Sequence, residues 1–374
     1  MTCSLSNLAR LIVNIIMKVK LFTLALVTLT AGLLASCKKA DLTTSVTGVT
    51  LDKTTLEIAA GDADVKLTAT ISPENATDKT VSWASDKTDI ATVDQEGKVH
   101  AVAPGAANIT VTTTDGGKTA SCAIIVIPEG ALPGEFSVSA TKKVRFSRGN
   151  LVAAIDATGA PTAWKFAANQ YDCLGEGGTN TTIGSQAGDV DLFGWSTPSS
   201  NYGISTTLSG GPYLGEFVDW GKAYCGQKGL ADDTWRTLTS AEWQYLFDTR
   251  TVNGDIKEGH SYQRAYINST GTADSGVYGM ILYPDNYTSQ TAATNYTSTE
   301  WAAMEVAGCI FLPAAGSRFG SIVEKAGSRG FYWSSSGDNF SAASCISFEE
   351  SEVKPDNANF RNLGFSVRLV TEAK

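Results

Sequence analysis

Between residues 46 and 127, apolar and polar positions alternate in short runs. Val65, Leu67, Ala69 and Ile71 stand two apart, as do Ile109 and Val111, while 81–84, 99–103 and 123–127 are brief β-forming stretches. A period of two puts every second side chain on one face, so each run predicts a half-buried strand. Turn formers separate the runs: Pro73-Glu74-Asn75, Asp94-Gln95-Glu96-Gly97, Ala103-Pro104-Gly105 and Asp115-Gly116-Gly117. About seven short strands in about 80 residues predict a two-layer β-sandwich with Trp83 as a core anchor. His100 falls within one of these strands and is read as a solvent-facing structural residue.

After a Pro/Gly linker at 128–134 the pattern changes. Seven of the eight Trp lie beyond it, Gly and Ser are frequent, and helical periodicity is scarce. One helix is well marked: Thr239-Ser240-Ala241-Glu242 forms a capping box, and Trp243, Leu246 and Phe247 follow as an apolar stripe. A second helix is expected over 299–306, and late strands over 308–312, 330–334, 345–348 and 365–370. A loop-rich α+β domain of this kind needs large aromatic anchors, each burying ~150–250 Å². Trp195, Trp220, Trp235, Trp243 and Trp333 are assigned that role. Arg148, Arg236, Arg318 and Arg368 are expected beside them, stacked on indoles or paired with Asp219 or Glu242.

The N-terminus reads as an export signal. Met17-Lys18-Val19-Lys20 precedes an uncharged run of 15 residues, Leu21 to Ala35, too short to span a bilayer comfortably. Leu34-Ala35-Ser36-Cys37 resembles a bacterial lipobox, which implies lipidation at Cys37; two thioether-linked acyl chains would anchor the chain stably. The expected layout is a signal peptide at 1–36 with a true start at Met17, a lipidated Cys and tether at 37–45, a sandwich at 46–127, a linker at 128–134 and a C-terminal domain at 135–374.

Composition narrows the chemistry. Asp and Glu (38) outnumber Lys and Arg (29), and the formal net charge is −9 over 374 residues. Loss of Arg10, Lys18 and Lys20 with the signal makes the exported chain more acidic still, which argues against a nucleic-acid partner. With His100 and His260 as the two histidines, multi-histidine metal sites are ruled out. Cys122, Cys173, Cys225, Cys309 and Cys345 follow no metal or redox spacing; their pairing is left open, with buried thiols favoured. Asp189 and Asp191, or Glu349, Glu350 and Glu352, would suit an acid/base pair or a calcium site, although acidic clusters are more often solvated loops. No catalytic residue, metal or cofactor is assigned.

Two family resemblances add to this reading. Val49-Thr50-Leu51-Asp52, Ile71-Ser72-Pro73-Glu74-Asn75-Ala76, Val81-Ser82-Trp83-Ala84-Ser85, Ile90-Ala91-Thr92-Val93-Asp94 and the stretch from Gly97 to Gly105 resemble group 2 bacterial immunoglobulin-like (Big) domains. That resemblance implies an immunoglobulin-like spacer or adhesion module. Further on, Phe146-Ser147-Arg148-Gly149-Asn150-Leu151, Asp191-Leu192-Phe193-Gly194-Trp195, Val218-Asp219-Trp220-Gly221, Trp235-Arg236-Thr237-Leu238-Thr239, Phe311-Leu312-Pro313-Ala314-Ala315-Gly316-Ser317-Arg318, Tyr332-Trp333-Ser334-Ser335 and the segment 364–370 form an ordered series. The series resembles the formylglycine-generating-enzyme-like branch of the C-type-lectin fold, found in secreted proteins of Bacteroidetes and Fibrobacter.

Enzymes of that branch imply a close cysteine pair or a histidine triad, and this chain has neither. The resemblance instead implies ligand contact through the last loops, expected at 334–344 and 349–362. The candidate residues there are Ser335, Asp338, Asn339, Phe340, Asp356, Asn357, Asn359, Phe360 and Asn362, with Arg361 among them in the same stretch, polar groups with interspersed rings that suit recognition. The same Asn positions suit diversification by a retroelement. The expectation is a lipid-anchored, surface-exposed outer-membrane protein that binds an extracellular protein or glycan. An exported enzyme and an envelope or pilus assembly subunit are the alternatives.

Overall fold

The computed structural model describes residues 12–14, 16–17, 43–173, 188–197, 202–204, 208, 213–252, 261–268, 276–288, 293–337 and 341–373. Cys37, His260, Asp338, Asn339 and Phe340 lie outside the described residues. The fold is mostly β-sheet.

The alternating region forms β1 (Gly48–Leu51), β2 (Thr55–Ala59), β3 (Val65–Lys66), β4 (Ala69–Ser72), β5 (Val81–Ser85), β6 (Ala91–Val93), β7 (Lys98–Ala101), β8 (Gly105–Thr113) and β9 (Thr119–Ile127). One sheet has the order β2-β9-β8-β5 and another β3-β7-β6, while β1 pairs with β4. The period of two does its expected work. Val99 and Ala101 are buried between exposed neighbours, as is Ile124, and Ile109 and Val111 are completely buried. Trp83 is 7% exposed, and Gly97 sits so close to its ring that a Cβ there would lie 2.8 Å from Cζ2. His100 is exposed on β7, with Nδ1 2.7 Å from Asp64 Oδ1.

Chain contacts define two compact units. The first gathers Met1–Asp52, Ala69–Ser82 and Val111–Ala120. Inside it, β1 and β4 form an antiparallel ladder, and the Val46 amide donates to Asp115 Oδ2 at 2.8 Å. The second unit holds Lys53–Thr68, Trp83–Thr110 and Ser121–Lys374, so part of the alternating region belongs with everything that follows it.

Beyond residue 134 the strands are short: β10 (Phe136–Ser137), β11 (Lys143–Phe146), β12 (Leu151–Ile155), β13 (Pro161–Phe166), β14 (Gly188–Val190), β15 (Arg236–Thr237), β16 (Tyr262–Asn268), β17 (Val277–Leu282), β18 (Asn295–Thr297), β19 (Ile310–Pro313), β20 (Ser317–Phe319), β21 (Ile322–Glu324), β22 (Arg329–Gly337), β23 (Ala342–Glu349), β24 (Val353–Phe360) and β25 (Leu369–Glu372). Their sheets run β10-β11-β25-β15, β13-β12-β14, β18-β16-β17-β19, β20-β21 and β22-β23-β24. Among the described residues beyond 134 the helices are α1 (Trp220–Lys228), α2 (Ser240–Gln244), continued by a π turn over Tyr245–Thr249, and α3 (Ser298–Val306).

The capping box of α2 forms in full: the Thr239 side chain accepts from the Glu242 amide while Glu242 accepts from the Thr239 amide. Thr297 and Glu300 repeat the device on α3. Helix α1 was not expected, because Gly221 and Gly226 break any apolar stripe. Its ends are nevertheless specified, by Asp219 accepting from the Gly221 amide and by Gly229 at φ 67°.

The anchors pack into neighbouring cores. Trp195, Trp220, Trp235 and Trp333 share one cluster, Trp243 belongs to a second, and Trp301 to a third. Three indoles also hold backbone carbonyls: Trp195 donates to Ser334 O, Trp220 to Tyr202 O and Trp333 to Phe193 O, at 3.0, 2.7 and 2.6 Å. The arginines behave differently from one another. Arg236 does pair with Glu242, at 2.7 Å, and also reaches Glu372. Arg318 is completely buried and donates to the carbonyls of Leu192, Gly203 and Gly320. Arg368, 1% exposed, donates to Gln170 Oε1, and burial lowers its pKa to about 10. Arg148 stacks on no indole; it is half-exposed and faces Asp62 at 3.3 Å.

Candidate ligand-binding cleft

The expected recognition loop at 349–362 is mostly a strand. Residues of β24 alternate between half-buried (Val353, Pro355, Asn357, Asn359) and exposed (Lys354, Asp356, Ala358, Phe360). Its Pro, Asp and Asn are poor strand formers, and pairing with β23 overrides that propensity. The alternation divides the candidate residues. Asn357 donates to Ser347 Oγ at 3.0 Å and Asn359 contacts Cys345 Sγ at 3.3 Å, so both side chains are engaged within the sheet. Asp356 is exposed and accepts from Ser240 Oγ, Phe360 is 65% exposed, and Asn362 donates to Leu208 O. The other expected loop is also shorter than anticipated, because β22 continues to Gly337.

Where β22 ends, a cleft of about 810 Å³ opens, within the usual size range for small-ligand sites. Its described lining includes Trp195, Leu214, Glu216, Phe217, Ser335, Ser336, Ser341 and Arg361. The floor is built from a stack: the Arg361 guanidinium lies 4.1 Å from the Trp195 ring centroid, and Phe217 packs 4.9 Å from the same ring. Arg361 is 5% exposed and donates to the carbonyls of Ala342, Tyr213 and Gly215. Gly337 closes the edge of the stack, where a Cβ would meet Trp195 at 2.7 Å and Arg361 at 3.0 Å. Three serines supply hydroxyls around the rim. Leu214, 53% exposed, adds an apolar lip.

Of the candidate residues, Ser335 lines this cleft. Ser336 and Arg361, within the expected stretches 334–344 and 349–362, line it too; the structure adds Leu214 and Phe217, and gives the anchor Trp195 a second role. Composition hid Leu214 and Phe217 because the segment before α1 carries no motif, and the Trp195–Arg361 stack joins positions far apart in the chain.

The acidic clusters are engaged elsewhere: Asp189 pairs with Lys165, Glu349 with Arg329 and Glu352 with Lys354. No group of His, Cys, Asp and Glu among the described residues is placed to hold a metal ion. Cys173, Cys225, Cys309 and Cys345 are free thiols. Burial pushes those of Cys173, Cys309 and Cys345 up to about 12.

Residues 45–124 match the family model described as the bacterial Ig-like domain (group 2). The chain is 38% identical over 87 residues to an uncharacterized protein of Clostridium acetobutylicum, a stretch covering 23% of this chain and 22% of that protein. It is 45% identical over 83 residues to an Ig-like virion protein of Serratia phage KSP90 (22% and 32%). It is also 45% identical over 69 residues to a lacto-N-biosidase of Bifidobacterium bifidum (18% and 6%). The chain therefore spans less than a third of the length of these relatives. Among solved structures, domains 4 and 5 of the S-layer protein SbsC share 28% identity at a TM-score of 0.19, covering 22% of this chain and 52% of that one. An intimin mutant of EHEC O157:H7 shares 24% identity at 0.19, covering 24% and 54%. No helix among the described residues is long and apolar enough to cross a membrane.

Proposed function

We propose that the chain is a lipid-anchored cell-envelope protein in which a bacterial Ig-like module carries a non-catalytic, lectin-like ligand-binding domain. The cleft beside Trp195 carries this reading. Its floor is fixed by carbonyl bonds to Arg361 and by close aromatic packing, while hydroxyls and an exposed leucine face outward. A rigid aromatic base with adaptable polar groups suits recognition of an extracellular protein or glycan. The alternative of thiol chemistry draws little support from Cys309 and Cys345. They sit in separate core clusters, and burial disfavours the thiolate that such chemistry requires. Retroelement diversification would act on the Asn positions Asn357, Asn359 and Asn362; a near-identical template repeat beside the gene tests that extension.

The full exported chain, probed on arrays of glycans and extracellular proteins, should show saturable binding. Leu214→Glu and Ser341→Arg, both at exposed positions, should abolish it without changing the melting temperature. Binding indifferent to both substitutions removes the cleft from the account. Incorporation of labelled fatty acid, lost on Cys37→Ser, tests the anchor separately.

A further inference from the structure

The segment 128–134 has the composition of a flexible joint, but the fold does not use it as one. Gly130, Ala131, Leu132 and Gly134 are buried. Ala131 and Leu132 enter two different core clusters, and the Leu132 amide donates to Phe146 O. A Cβ on Gly134 would lie 2.1 Å from Gly308 O, so the backbone there is in direct contact with the turn that follows α3.

The second compact unit continues across this segment. Ala59 at the end of β2 and Ile127 at the end of β9 belong to the same cluster as Leu151, Trp220 and Trp235. Arg145 of β11, its side chain 6% exposed, reaches back to Glu57 of β2 with Nη1–Oε1 and Nη2–Oε2 at 2.9 and 3.2 Å. The same guanidinium meets Glu135 Oε1 at 2.7 Å and the Pro133 carbonyl. At the rim, Arg148 faces Asp62 and Lys228 faces Glu129, at 3.3 and 3.1 Å.

We propose that β2 and β9 of the Ig-like module and the whole C-terminal region form one cooperative folding unit, latched by Arg145, with no swivel at residues 128–134. The fork geometry matters: the planar guanidinium makes four bonds to Glu57, Glu135 and a carbonyl, where an ammonium has three donors and no fixed fork. Removing the guanidinium takes this counter-charge from the half-buried Glu57 and leaves Glu135 to Lys143 at 3.8 Å, whereas removing one carboxylate leaves Arg145 its other acceptors. Burial already pushes the Glu57 carboxyl above its usual value despite Arg145. The latch therefore depends more on the arginine than on either acid. A force or a ligand acting on the C-terminal cleft would meet β2 and β9 as part of the same body.

Native-state hydrogen exchange on the full chain, read by mass spectrometry across a denaturant series, tests this. In the unaltered protein, amides of β2, β9, the 128–134 segment and β11 should open together, with one denaturant dependence. A separate, easier opening of β2 and β9 overturns the proposal. Arg145→Met should uncouple them, raising exchange in β2 and β9 about ten-fold or more relative to β25; an equal rise in both regions removes Arg145 as the latch. Should that variant not fold, Glu57→Gln provides the smaller uncoupling in the same direction, and no relative change there also overturns it. Arg148→Ala, which breaks a half-exposed pair, should shift the ratio less than about two-fold.

Discussion

The alternating region and the C-terminal region are both β-rich, yet they hold their strands by different means. In the first, small aliphatic side chains do the work: Ala91, Val99, Ile109, Val111 and Ile124 are completely buried, with Trp83 as the one indole. In the second, long irregular connections are tied down by rings and cations. Trp220, Trp235, Trp333, Arg318 and Arg368 are among the largest fully buried side chains, and several of them bond to the backbone of distant loops. A regular sandwich satisfies its amides in ladders, so its core only has to exclude water. A loop-rich fold leaves carbonyls without ladder partners, and burying them demands donors on side chains.

Substitutions that break these ties should separate the two regions most clearly. Trp333→Ala removes a completely buried ring and one of two bonds to the Phe193 carbonyl, which the Phe365 amide still serves, with an expected cost of about 4 kcal/mol in chemical denaturation. Arg318→Met keeps the length but leaves the carbonyls of Leu192, Gly203 and Gly320 without that donor, for about 3 kcal/mol. Arg318→Lys should recover only part, since one ammonium cannot replace the fork. In the sandwich, Ile109→Val should cost about 1 kcal/mol, because a single methylene leaves and no polar group is exposed by its loss. Equal costs at positions 109 and 318 would erase the distinction.

The same contrast explains what was readable in advance. Period-two alternation is a local signal, and Val99, Ala101, Ile109 and Val111 fall on the buried face that it predicts. The capping box at Thr239 and Glu242 is equally local, and it forms. Strand β24 was unreadable because Pro355, Asp356, Asn357 and Asn359 individually disfavour strands, and their pairing with β23 is decided by the sheet. Helix α1 carries no stripe. The cleft is the least local feature of all: Arg361 finds Trp195, Tyr213 and Gly215 only once the fold has formed. Thr239→Ala, which removes a readable local signal, should cost about 1 kcal/mol, less than the loss of an unreadable tertiary tie such as Arg318.

The smallest effect at neutral pH concerns the thiols. Cys173, Cys309 and Cys345 lie in the C-terminal region, and burial raises each to about 12 from an ordinary value near 9. A raised pKa means that the folded state favours the neutral thiol. The stability linked to these groups is therefore complete below about pH 9, where folded and unfolded chains are both protonated, and is lost progressively as pH rises toward 12. Thermal melts between pH 8 and 11 should fall more steeply for the native chain than for Cys309→Ala, after both are referenced to pH 8. At pH 8 the native thiols should resist an aromatic disulfide reagent until the chain unfolds. Rapid labelling of Cys309 or Cys345 in the folded protein would mean that the aromatic cores admit water, and the difference drawn between the two regions would lose its physical basis.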